Sequence, residues 1–217
     1  MNAAEANQIT RRIAALRGAS SEMIQDALSL FGEGLKCKGL RVAGVVEISQ
    51  CGTGGVCKRL AVRDLSSGEV MEISQNLGAG STACNLDPGG LAKACEAVER
   101  ATEEGADVVV LSKFGKLEAA RSGLCDAFRA AILADLPIVT GVSPQLTEEW
   151  LHFAGSLSTD IAATTDALDA WWRASGMVET GPSSSAERAL AAGDRERWNR
   201  MTPNSSAPGT AQQARRP

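Results

Sequence analysis

Residues 13–48 read IAALRGASSEMIQDALSLFGEGLKCKGLRVAGVVEI, and this stretch decides the fold class. Ile13-Ala14-Ala15-Leu16 is a short apolar run stopped at Gly18, the mark of a buried strand. Ser20 and Ser21 follow, and a serine oxygen placed there accepts from the orphan N–H groups of a first helical turn. Ile24, Ala27, Leu28, Phe31 and Leu35 then recur at helical spacing, and Gly39 ends the pattern. Leu40–Ile48 is again almost unbroken apolar sequence, a second buried strand.

The same alternation continues outward. Lys58–Leu65 and Glu69–Ser74 read as a hairpin turned at Ser66-Ser67-Gly68. A Gly-rich stretch, Asn76–Thr82, precedes Asp87-Pro88, a helix start with Asp at the cap and Pro at the first helical position. That helix is predicted to run to about Glu104, with Gly105 stopping it. Asp107–Ser112, DVVVLS, is the most hydrophobic strand and is expected at the centre of the sheet. A helix through Leu124, Phe128 and Ile132 leads to strand Pro137–Val142. Thr147 is read as the cap of a short helix, and Thr165–Ala174 as a last one ending in Trp171-Trp172, one ring buried and one covering an interface.

Strands alternating with helices imply a three-layer α/β domain over residues 9–175, mainly parallel with an inserted hairpin. Residues 1–8 are read as a flexible N-terminus. Residues 176–217 lose periodicity and hold six Arg against four acids, which reads as a disordered basic tail. The remaining residues carry 16 bases and 22 acids, an acidic body. With a net charge of −4, general nucleic-acid binding is not expected. The N-terminus lacks a signal-peptide pattern and no run is long enough to span a bilayer, so a cytoplasmic protein is expected.

Ligands of open α/β sheets bind at the carboxyl ends of the strands, which directs attention to the loops after Leu16, Ile48, Ser112 and Val142. A phosphate-binding loop reads G-x-x-x-x-G-K-[ST] between strand and helix; its glycines let backbone N–H groups surround phosphate and its Lys neutralises charge. Arg17-Gly18-Ala19-Ser20-Ser21-Glu22-Met23 has the right position, one Gly and hydroxyls, but no Lys, and Glu22 opposes an anion. Simple helix capping is the plainer reading of Ser20 and Ser21.

The segments quoted above, with DVVVLSKFGKLEAARSGL at 107–124 and PIVTGVSPQLTEEWLHFAG at 137–155, resemble an uncharacterised bacterial domain-of-unknown-function family. That family is related to the P-loop nucleoside-triphosphatases of the small archaeal and human cancer-related type. The resemblance covers about residues 9–175, and its most specific piece is the strand followed by Phe114-Gly115-Lys116-Leu117-Glu118. In the active enzymes this strand ends Asp-Glu; here those places hold Ser112 and Lys113. Phosphoryl transfer rests on positioned positive charge and metal, so the resemblance implies a degenerate, non-hydrolysing protein that binds a nucleotide or small oxyanion. Gly115, Lys116 and Glu118 are the positions carried over.

Lys113 is expected near the vacant loop, where it would hold phosphate or another oxyanion; some relatives carry labels connected with molybdate transport. The alternative is that Lys113 and Lys116 are solvated and pair with Glu118 or Asp107. An active triphosphatase or kinase with relocated groups, and a Cys-based metal or redox protein, are the other functions in play. A protein partner or a second copy of the chain is a further expectation.

Cys95 and Cys125 fall on apolar helical faces and read as core, while Cys37 tells little. Cys51 and Cys57 bracket the Gly-rich loop CGTGGVC, and with Cys84 they are the candidate metal ligands, Asp87 or water completing the set. C-x₅-C lacks the tight spacing of structural zinc sites, so a metal is not expected; a Cys51–Cys57 redox pair is an equal alternative, and loop thiols with no shared role are the favoured reading. Gly78-Ala79-Gly80-Ser81-Thr82 resembles half a dinucleotide fingerprint in the wrong context, and His152 has no identifiable nucleophile as a partner.

Overall fold

The computed structural model describes residues 12–51, 58–75 and 86–175. They form β1 (Ile13–Arg17), α1 (Ser21–Cys37), β2 (Val42–Cys51), β3 (Lys58–Asp64), β4 (Val70–Glu72), α2 (Pro88–Glu103), β5 (Val108–Phe114), α3 (Lys116–Ala119), α4 (Cys125–Leu133), β6 (Ile138–Val142), α5 (Thr147–Ala154), β7 (Ser158–Ala162) and α6 (Thr165–Ala174). The proposed N-terminal and C-terminal tails, the Asn76–Thr82 stretch, Cys57, Cys84 and the Cys51 side chain lie outside the described residues.

The strands make one sheet in the order β4-β3-β2-β5-β6-β1-β7. β1, β2, β5, β6 and β7 run parallel, and β3 and β4 add an antiparallel edge. The expected α/β architecture is thus observed, with β5 fourth of seven. Apolar residues alternate between the two faces. Ile13, Ala15, Val109 and Leu111 face α2, α4 and α5, whereas Ala14, Leu16, Val108 and Val110 face α1 and α6. A parallel sheet covered on both sides needs this double-sided apolar sequence, which explains why its strands are almost continuously hydrophobic.

Local chemistry sets the boundaries. Ser20 Oγ accepts from Met23 N–H at 3.2 Å, so Ser20 caps α1 and Ser21 is its first residue. Asp87 caps α2 by accepting from Gly89 N–H at 3.0 Å, with Pro88 at the first position as expected. In the hairpin turn, Asp64 accepts from Ser66 N–H and from both serine hydroxyls.

Several expectations are corrected. β4 ends at Glu72 rather than Ser74 because Ser74 leaves the ladder to bridge Leu86. Thr147 lies inside α5 rather than at its cap; its hydroxyl donates to Pro144 O at 2.9 Å. Both Trp171 and Trp172 are buried, and Trp172 meets Phe31 edge-on at 6.0 Å, so neither ring is left over for an interface. Cys95 is buried as expected, but Cys125 is only half-buried because it opens α4. Strand β7 and the one-turn helix α3 have no counterpart in the sequence reading.

Candidate functional site

β1 and α1 are joined by only three residues, Gly18, Ala19 and Ser20, with Gly18 at φ +79°. With Gly18 set on the first glycine of G-x-x-x-x-G-K-[ST], the pattern's Lys falls on Ile24 and its hydroxyl on Gln25. Both positions are inside α1 and buried. Ile24 packs on β6 at Gly141, where any Cβ would come 2.6 Å from Ile24 Cγ2. The helix begins where the cradle would have to be, and the room for a lysine is filled.

Gln25 joins three elements. Its Nε2 donates to Ser112 O at 2.7 Å, and its Oε1 accepts from Glu47 N–H at 2.7 Å. The acceptor is free for it because the β5–β6 register shifts between Leu111 and Lys113, turning Ser112 out of the ladder. One buried carboxamide therefore ties the middle of β2 and the carboxyl-terminal half of β5 to α1.

Next to this clamp, Lys113 Nζ meets Glu47 Oε2 at 2.7 Å, with the Glu47 side chain mostly buried and that of Lys113 partly exposed. The expected pairing of Lys113 with Glu118 or Asp107 is corrected: Asp107 accepts from Arg41 N–H at 2.8 Å instead. Glu118 is buried and accepts from Gly115 N–H and Leu124 N–H, each at 2.9 Å. It closes the loop after β5 on itself, and Gly123 leaves the space its carboxylate occupies. Lys116 opens α3 and is exposed.

The structure thus brings together Ser112 and Lys113, and separately Gly115 and Glu118; Gly18 and Ser20 lie in the β1–α1 link and Ser21 opens α1. Sequence reasoning missed Gln25, Glu47 and Arg17. Arg17 Nε donates to Asp160 Oδ1 at 3.0 Å and Nη1 to Thr147 Oγ1 at 2.9 Å, while Nη2 is buried without a partner. Gln25 left one legible signal, a polar residue beside Ile24 and Leu28 on the apolar stripe.

The P-loop resemblance read from the sequence would imply Mg²⁺ at this end of the sheet, and the residues do not fit it. Ser112 is neutral where an acid is required, the Gln25 carboxamide is engaged at both ends, and the neighbouring carboxylate is neutralised by Lys113. Among the described residues no group of three or more His, Cys, Asp or Glu could hold a metal. The Cys51, Cys57 and Cys84 candidates lie outside that description. Burial pushes the Cys95 thiol up to about 11 and raises Cys125 less, the character of packing residues. His152 is exposed.

A family model described as a protein of unknown function (DUF2478) matches residues 13–171, well over half the chain. Over 162 residues the chain is 35% identical to the molybdenum import ATP-binding protein ModC 2 of Bradyrhizobium diazoefficiens, covering 75% of this chain and 18% of that protein. It therefore spans about a fifth of the curated relative's length. The crystal structure of THEP1 from Aquifex aeolicus is 13% identical with a TM-score of 0.44, covering 72% of this chain and 91% of that one. No described helix is long and apolar enough to cross a membrane.

Proposed function

The chain belongs to the DUF2478 family, and we propose that it is a non-hydrolysing P-loop-type member that binds a small oxyanion or a nucleotide phosphate in an accessory or regulatory role. The observation that carries this reading is the three-residue β1–α1 link, with Ile24 and Gln25 packed where a phosphate loop would present Lys and a hydroxyl. Hydrolysis needs positioned charge and metal around the γ-phosphate, and both are missing from the residues that would supply them.

Two cations support anion binding at this end of the sheet. The Lys113 side chain is partly exposed, and Arg17, the residue before Gly18, keeps a buried Nη2 without a partner. The likeness to a protein named for molybdenum import makes molybdate the first oxyanion to try and an import ATPase the system in which an accessory role would be sought.

The test uses the full chain. Phosphate release from ATP or GTP with Mg²⁺ should stay at the buffer background. A thermal-shift panel of ATP, GTP, molybdate and sulfate should pick out one anion; at 100 times its Kd it stabilises the fold by about 2.7 kcal/mol. Mg²⁺-dependent phosphate release well above background would overturn the non-hydrolysing reading. A flat panel would overturn the anion-binding one.

A further inference from the structure

We infer that Glu47 is a built-in competitor for the anion, an autoinhibitory carboxylate held on Lys113 by the Gln25 clamp. The inference rests on the reading of Lys113 as the anion-binding cation.

Three observations meet here. Lys113 Nζ and Glu47 Oε2 are 2.7 Å apart, with side-chain exposures of 42% and 14%, so the lysine side chain is the more open of the pair. Glu47 belongs to β2 and Lys113 to β5, and their backbones are joined by one carboxamide: Gln25 takes Glu47 N–H and the carbonyl of Ser112, the residue preceding Lys113. The carboxylate is therefore anchored at its own main chain.

An ammonium has three donors and Glu47 takes one, so an oxyanion finds donors still open on Nζ. It also finds a negative charge within contact range of the same nitrogen. Like charges that share one site disfavour each other, and the effect is strong where burial keeps water away. Any anion at Lys113 must displace Glu47 or bind beside it. Because the Glu47 main chain is pinned, displacement means swinging the side chain away from its only ion-pair partner among the described residues. Glu47 thus sets the affinity of the site without contributing to binding, and a multiply charged anion feels it most. Gln25 is the positioning residue that holds both strands in that register.

The decisive substitution is Glu47→Gln, which keeps the size of the side chain and an oxygen for Lys113 while removing the charge. Binding is measured by calorimetry on the full chain with sodium molybdate, with sodium sulfate, and with ATP in EDTA, so that a free oxyanion and a nucleotide phosphate are told apart. Glu47→Gln should tighten the anion that binds by about threefold to fivefold, the scale of a partly exposed ion pair. The gain should shrink as salt is raised from 50 to 500 mM, because the repulsion is screened (~Debye length 10 Å at 0.1 M). Glu47→Asp, whose shorter carboxylate is drawn back from Nζ, should lie between wild type and Glu47→Gln and serves if that variant folds poorly. Lys113→Ala should abolish binding in every background.

Lys113-dependent binding that is equal in wild type and both Glu47 variants overturns the competition and leaves the anion site standing. Binding that survives Lys113→Ala, or an absence of binding in all variants, overturns the site itself and the inference with it.

Discussion

After β1 the chain crosses to its helix in three residues, whereas after β5 it takes the longer path from Gly115 to Leu124 around one carboxylate. Both connections leave carboxyl ends of strands in the same parallel sheet. In the first, the residues the phosphate-loop pattern calls for are replaced, and Ile24 and Gln25 have taken on packing and strand joining. In the second, Glu118, the acid matched by the sequence resemblance, serves two backbone N–H groups. The contrast separates two reasons for a motif residue to be present. Glu118 satisfies buried donors, a need that persists whatever the chemistry. A phosphate-binding Lys satisfies only its ligand, so no buried partner in the fold requires it.

The contrast can be broken most directly at Glu118. Glu118→Ala leaves the N–H groups of Gly115 and Leu124 buried and unpaired, and should lower stability by about 3 kcal/mol in urea unfolding. A loss under about 1 kcal/mol would mean that the carboxylate does not organise the second connection. Gln25→Leu probes the first connection at constant size. It strands Ser112 O and Glu47 N–H, for an expected loss of about 2 kcal/mol and a lower melting temperature. If its effect matched that of Glu118→Ala, the two connections would be equally structural and the distinction would be blurred.

Ser20→Ala removes the cap on α1 and should cost about 1 kcal/mol. A larger change accompanied by weaker anion binding would show that Ser20 serves a ligand as well as the helix. The smallest effect is kinetic. Below about pH 9 the Cys95 thiol stays protonated in the fold, so alkylation should label exposed Cys37 well before Cys95, read residue by residue from peptide masses. Equal labelling would mean that α2 opens as readily as the end of α1.

The fold was legible wherever a pattern was long and two-sided. The apolar run Asp107–Ser112 placed the central strand, and Asp87-Pro88 marked a helix start, because burial on both faces and cap chemistry are written locally. β7 was not legible because STDIA is a half-exposed edge strand with no apolar alternation, and it is held by pairing with β1. The site was legible as positions rather than as contacts. Lys113 could be singled out, but its partner is 66 residues earlier on another strand, and only the sheet order brings them together. The role of Gln25 depends likewise on a register shift in β5 that no local spacing encodes. Trp171 and Trp172 were misjudged because adjacent helical positions rarely bury together. Here Phe31 and the α1 face make room for both.

The contact between Ile24 and Gly141 also bears on how readily this chain could be given a phosphate loop by design. Ile24→Lys alone would drive a charge into the space under α1, where unpaired burial is costly, and would return no hydrolysis. A working phosphate loop would need that lysine, a hydroxyl in place of Gln25, an acid at Ser112 and extra residues before Ser21, each harmful until the others are present. Substitutions within one contact network do not add independently, so the path from this packing to a phosphate loop runs downhill in stability before the last substitution is in place. The packing of one isoleucine on one glycine works as a ratchet.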